Sequence, residues 1–262
     1  MKKTIIGLFL LLSLLMITNI TKVKALEGDD EFTPVSETTK YYKTITQYNN
    51  GNHYSPDSLE PVSTQTIEIT EAEYLNVGTT PEVYSPNLFT TVETTYKKMT
   101  TSIETNGSTY RYKNVLIWKN FPSVRSNDII GIGFFGSVQP VANTRTFELV
   151  YCRNSNGCHA TSAMAVKQTF TYGSSAVYSL PSFTDLISLK ATYYFDVSKT
   201  NSSLTIVHQG AFGDYSHAIT SVTPLQAINH EVVQNAGIYL DDSIVDKYDA
   251  IDEADVHWYG SW

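Results

Sequence analysis

The chain has 262 residues, of which 42% are hydrophobic, 12% aromatic and 17% charged, with a formal net charge of −8. That apolar share excludes a disordered tail, and two cysteines are too few for a disulfide-dense scaffold. No Gly-X-Y or heptad period appears, which excludes collagen and coiled coil.

Residues 1–25 read as a secretory signal peptide. Lys2 and Lys3 supply the positive start, Ile5 to Ile17 the apolar run, and Val23-Lys24-Ala25 the small-residue cleavage site. The apolar run is about 13 residues, against the roughly 20 that a spanning helix needs, so cleavage is expected rather than anchoring. A few lysines before a Leu-rich core is a pattern common in Gram-positive bacteria. Cleavage removes Lys2, Lys3, Lys22 and Lys24 and no acid, so the charge moves from −8 to −12. That speaks against nucleic acid as a partner, since phosphates need basic patches. It also speaks against capture by an anionic membrane. The expectation is a secreted, extracellular chain with no stable membrane anchor after cleavage.

Residues 26–38 read as a mobile acidic leader, and 39–262 as a single domain, with a split near Pro81–Pro86 as the alternative. The body alternates Thr, Val, Ile, Tyr and Phe in short runs that suit a pleated, half-buried surface. Strands are expected over Thr39–Tyr48 and Val62–Thr70, with Asn49–Pro61 as a loop. Thr70-x-x-Glu73 is a capping box for a single helical turn before Gly78. Phe89–Thr105 and Thr109–Lys119 flank Asn106-Gly107-Ser108, the clearest hairpin in the chain. In the second arm Tyr110, Tyr112, Leu116 and Trp118 share one face.

The Thr-rich first arm puts Glu93, Lys97 and Met99 on one parity with Thr91, Thr95 and Thr101, and Val92, Tyr96 and Lys98 on the other. Neither face is apolar enough to meet lipid. The arm is expected to be an exposed edge hairpin whose lysines deter edge-to-edge pairing. Asp128–Val138 reads as a strand buried on both faces. At its start, Arg125 and Asp128 are placed to bridge a loop.

Thr144–Cys152 and His159–Tyr172 form a further hairpin, with Asn156-Gly157 at its tip. Cys152 and Cys158 are expected to be disulfide-bonded there, since the secretory address favours oxidation. A metal pair or a nucleophilic thiol beside His159 is the alternative. Ile187–Val197, Ser203–His208 and Asp214–Val222 are the last expected strands, and Pro224–Val233 a short helix. About ten strands with short turns predict an all-β antiparallel sandwich with one or two short helices.

Motifs for chemistry are few. There is no G-x-S-x-G and no H-E-x-x-H; His230-Glu231 lacks its second histidine. His208, Asp214 and His217 are the best local constellation for acid–base work or a metal. They would meet if Gly210-Ala211-Phe212-Gly213 joined two strands. The C-terminal acids are candidate calcium ligands, Asp241, Asp242, Asp246 and Asp249 among them, although the D-x-D-x-D-G spacing is missing. The bland reading of these acids is a docked segment with its carboxylates in water; no other cofactor is implied. Tyr193, Trp258, Tyr259 and Trp262 are candidate ligand-stacking rings. No stretch resembles a family of known activity. The reading is a secreted binding or structural protein without catalysis, with an extracellular protein or carbohydrate as partner. A secreted hydrolase or metal-dependent enzyme using His208/Asp214/His217 is the first alternative, and a β-type pore-forming toxin the second.

Overall fold

Alternation along the chain decides which residues meet across the layers. In the strand Tyr110–Trp118 every second residue is buried, from Tyr110 through Tyr112, Asn114 and Leu116 to Trp118. In Asn127–Phe135 nearly every residue is buried, because both faces are covered: Ile130, Ile132 and Phe134 turn to one core and Ile129 to another. These alternations are sheet faces, and the protein is an antiparallel β-sandwich.

The computed structural model describes residues 31–49, 60–78, 82–87, 90–162 and 166–262. The signal peptide expected over 1–25 and most of the loop expected over Asn49–Pro61 lie outside the described residues. Phe32–Trp262 forms one compact unit. In chain order its strands are β1 (Thr33–Asn49), β2 (Glu60–Ile69), β3 (Glu82–Asn87), β4 (Thr90–Thr105), β5 (Tyr110–Trp118), β6 (Asn127–Phe135), β7 (Val138–Pro140) and β8 (Thr146–Arg153). There follow β9 (Gly157–Thr161), β10 (Val166–Phe170), β11 (Gly173–Ser179), β12 (Leu186–Lys199), β13 (His208–Ser216), β14 (His230–Val233), β15 (Gly237–Leu240) and β16 (Asp252–Tyr259). Among the described residues the α-helices are α1 (Glu71–Asn76) and α2 (Pro224–Ala227), with a 3-10 turn over Val245–Lys247.

A nine-stranded sheet runs β2-β1-β4-β5-β12-β8-β9, with β3 on β4 and β7 on β12. A five-stranded sheet runs β10-β11-β6-β13-β16. The main core lies between them, built on Met99, Ile103, Tyr112, Leu116, Phe195 and Tyr215. A second core on the far face of the smaller sheet packs Ile129 and Val177 under β14 and β15, through Val232, Ile238 and Leu240. Polar ties cross the main interface. Asn114 Nδ2 donates to the carbonyls of Gly131 (3.2 Å) and Asp214 (3.1 Å), and the Tyr112 hydroxyl donates to Gln209 Oε1 (2.8 Å).

Most local signals act as expected. Thr70 caps α1 by accepting from Glu73 N (3.2 Å), and the helix is a single six-residue segment. Asn106 Oδ1 accepts from the amides of Ser108 and Thr109 at the β4–β5 turn, where Gly107 takes φ +92°. That positive φ is open to glycine at no steric cost. Cys152 and Cys158 face each other across β8 and β9 and are disulfide-bonded, so neither is a free thiol or a metal ligand. His159 instead stacks on Tyr151 and lies 3.0 Å from the Asn156 carbonyl.

Four expectations are corrected. First, β1 begins at Thr33 and pairs with β4 from Thr33↔Thr105 onward, so residues 33–38 belong to the sheet and not to a leader. The 16-residue β4 offers a ladder long enough to recruit them. Second, β4 is no edge. It lies between β1 and β5, which satisfies its backbone on both sides. Third, Ser203–Val207 is not a strand, and Gly210–Gly213 is not a turn: β13 runs unbroken from His208 to Ser216. Its glycines allow close approach, since a Cβ on Gly213 would meet the Thr101 and Asn114 side chains. Fourth, Pro224–Val233 is helical only to Ala227, and His230–Val233 pairs with β15 instead.

Candidate functional site

The continuous course of β13 separates the three residues expected to act together. His208 opens the strand and His217 follows its end, roughly 30 Å away at the rise of an extended chain. His208 is half-exposed among rings, stacked on Tyr259 at 4.2 Å, with Nε2 3.2 Å from His257 Nδ1. Asp214 is buried on the outer face, where Oδ2 accepts from the amide of Ile238. Burial pushes its carboxyl well above the ordinary range, and the nearby Glu253, Asp255 and Asp252 add to that. His217 turns into the main interface, edge-on to Trp118. The three do not form a site, because a strand places residues six and nine apart at distant points.

The other candidates also disperse. Asp241 accepts from the Ser243 amide (2.8 Å), and its hydrogen bonds with Ser243 hold its pKa down. Asp242 and Asp246 point to solvent, whereas Asp249 is buried. Among the described residues no group of three or more His, Cys, Asp or Glu is placed to hold a metal. Tyr193 is a core residue bonded to Ser174, so it offers no stacking face. Trp258 and Trp262 pack on Tyr110, at 5.2 and 4.5 Å. Tyr259 alone of the four is well exposed, at 73%. Asp128 does not reach Arg125 as a loop bridge. It accepts from Tyr215, His217 and the Ala218 amide, and Arg125 donates to the Pro181 carbonyl.

What the fold does assemble is a closed polar cluster at the other end of β13. On β4 the parity that carries Met99 and Ile103 into the core also carries Glu93 and Lys97. Lys97 Nζ lies 2.8 Å from Asp249 Oδ2 and 2.6 Å from Asp252 Oδ2, and all three side chains are 0% exposed. Asp252 is the first residue of β16, pairing with Tyr215 of β13. The ammonium also sits 5.2 Å from the ring centroids of both Trp118 and Tyr215. Asp249 Oδ1 accepts from the His217 amide (2.7 Å), and His217 Nδ1 lies 3.0 Å from Asp128 Oδ1. Next to this group, Glu93 Oε1 accepts from both the amide and hydroxyl of Ser123.

Electrostatics follow from the burial. Desolvation alone pulls the Lys97 pKa down, but the Asp249 and Asp252 carboxylates outweigh it and hold the ammonium charged. Burial raises the Asp252 carboxyl to about 7; Lys97 opposes that rise and Asp249 adds to it. Burial likewise raises Glu93, against the Ser123 hydrogen bonds. One cation thus faces two acids, with all three side chains closed off from solvent, and burial favours the neutral form of Asp252. That arrangement holds elements together and lets a proton move between amine and carboxylate.

Sequence reading missed this cluster by treating Lys97 as an edge guard and the C-terminal acids as solvated. The available signal was parity: Lys97 shares its face with Met99 and Ile103. A separate open depression of about 470 Å³ is lined by Ile228, Asn229, His230, Glu231, Tyr239 and Asp241. There His230 is tied to Ser175 and the Ala227 carbonyl, and burial lowers its pKa.

No family model matches the chain, and no curated protein matches it. Among solved structures, the T6 backbone pilin of serotype M6 Streptococcus pyogenes, a modular three-domain structure, aligns with 8% identity and a TM-score of 0.32. That alignment covers 90% of this chain, which spans 65% of the pilin's length. AvmM, which catalyses macrocyclization in alchivemycin A biosynthesis, aligns with 10% identity and a TM-score of 0.24, over 57% of this chain and 80% of its own. Scores this low fix neither a fold nor a role.

Proposed function

We propose that the chain is a secreted, non-catalytic β-sandwich that works at or outside the cell surface as a binding or structural module. The observation that carries this reading is where its ionisable groups gather. Lys97, Asp249, Asp252, Asp128 and His217 meet in the closed interior and fasten β4, β6 and β16 to one another. A hydrolase places such groups in a cleft that substrate can enter. The hairpin disulfide supports an oxidising compartment, as does the expected signal peptide. No described helix is long and apolar enough to cross a membrane.

The test is expression of the full chain, leader included, in a Gram-positive secretion host. The expected product is a folded chain in the medium that begins at Leu26, carries the Cys152–Cys158 bridge and turns over no substrate in a panel of glycoside, ester and peptide hydrolase assays. Retention in the cytosol with residues 1–25 intact would overturn the localisation. Turnover that co-purifies with the folded chain would overturn the non-catalytic reading.

A further inference from the structure

Among the described residues, Lys97, Asp249 and Asp252 bring a primary amine against two carboxyl groups in a site closed to water. The two acids are held differently. Asp249 has a donor on each oxygen, the His217 amide on Oδ1 and Lys97 itself on Oδ2. Asp252 has no aligned hydrogen-bond donor on either oxygen, although its Oδ2 is the atom nearest to Nζ, at 2.6 Å. The amine therefore approaches the Asp252 carboxyl off the hydrogen-bond axis. The Trp118 and Tyr215 rings wall the site on two sides.

We propose that Lys97 and Asp252 condense spontaneously in the folded chain, forming an amide bond that ties β4 covalently to β16. The step begins with Lys97 as the ammonium, Asp249 as the carboxylate and Asp252 as the neutral acid, a form that its burial favours. Lys97 gives one proton to Asp249, and the freed amine attacks Asp252 Cγ. The bond from Cγ to the Asp252 hydroxyl oxygen breaks, and that oxygen leaves as water with the proton handed on by Asp249. The nitrogen's second proton replaces it on Asp249. One N–C bond forms, one C–O bond breaks and one water is released. Charge balances at zero before and after, and no oxidant, reductant or cofactor takes part.

Two physical reasons favour the bond here and not in free solution. Holding the reacting groups in contact replaces a bimolecular encounter, which is worth many orders of magnitude in rate. Ionised, hydrated reactants oppose amide formation in water, but in this interior the ion pair lacks hydration and is costly to keep. A neutral amide removes that cost, and the dry site opposes hydrolysis. The amide N–H retains Asp249 Oδ2 as its acceptor. The inference concerns the chain's own chemistry and stands whatever the protein binds.

The experiment is mass spectrometry of the full chain, reduced and alkylated, then digested with trypsin under denaturing conditions. The expected result is an intact mass lower than that of the processed sequence by one water molecule. The digest should lack cleavage after Lys97 and yield a branched peptide joining the segments that contain Lys97 and Asp252. The full mass, with separate Lys97 and Asp252 peptides, would overturn the proposal. So would a branch point at Asp249. Lys97→Arg keeps the charge but lacks the nucleophilic amine and should restore the full mass; a missing water in that variant would place the dehydration elsewhere and overturn the proposal. The branched peptide of the unsubstituted chain decides the matter even if Lys97→Arg folds poorly.

Discussion

The two ends of β13 carry the same kinds of side chain and use them in opposite ways. At the first end His208 pairs with Tyr259 of β16, and its ring lies among Tyr259, His257 and Phe135 within reach of water. At the other end Tyr215 pairs with Asp252, and there His217, Asp128, Asp249 and Lys97 are sealed. Composition does not separate the two: each offers histidine, aromatic rings and polar partners. The difference is cover. The far end lies beneath β4 and the segment that carries Asp249, whereas the near end meets the chain's last residues at an open corner. Where cover is complete, every polar group must find a partner or change its protonation. Where it is not, water supplies the partner and the side chains are worth little to stability.

Substitutions along this strand and its neighbours should grade accordingly. The largest effect is expected from Lys97→Met, which keeps the stem and leaves Asp249 and Asp252 buried without the nitrogen that partners them, whether as ammonium or as amide. Removing one partner of a buried pair costs about 3–5 kcal/mol, read as a fall in the denaturant midpoint. A loss below about 1 kcal/mol would mean that water reaches the cluster, and the contrast between the two ends would fail.

Gly213→Ala should cost about 1–3 kcal/mol, since the new methyl meets Thr101 and Asn114 across the interface and the packed layers must part to admit it. Thermal unfolding checks this. An unchanged midpoint would show that the sheets can shift at that point.

Asp214 gives a pH signature. Burial raises its carboxyl in the folded chain above the ordinary value of 3.8, so the folded state keeps the proton after the unfolded state has lost it. The stability contribution is full below that pH and is lost as pH rises beyond it. Asp214→Asn retains an acceptor for the Ile238 amide and cannot ionise, so it should flatten the fall in unfolding free energy between acid and neutral pH. Parallel pH profiles for the two proteins would show Asp214 to be ionised in the fold.

The smallest effect belongs to the open end. Tyr259→Ala removes a ring that is 73% exposed, and its cost should stay within about 0.5 kcal/mol. A much larger loss would show that the His208 stack holds β16 in place.

Much of the architecture was legible in the residues. The alternation from Tyr110 to Trp118, the Asn106-Gly107-Ser108 turn and the bridge around Asn156-Gly157 are local patterns, and local patterns survive folding when period and turn chemistry agree. Gly210–Gly213 misled because glycine permits both a turn and a close approach. Only the side chains of Thr101 and Asn114, far away in sequence, decide between the two. Lys97 misled for a related reason. Its parity was readable, but not the sign of the face, which depends on β13, β16 and the segment that carries Asp249 packing against it.

The sequence by itself therefore determined the strand period, the tight turns, the cysteine pairing and the all-β class, because each rests on contacts between residues close along the chain. Tertiary structure alone decided that Lys97, Asp249 and Asp252 meet and that His208 and His217 do not. Those outcomes depend on which strands become neighbours and which ends are covered. A buried charge is held in place only when the partners that offset its desolvation arrive from elsewhere in the fold.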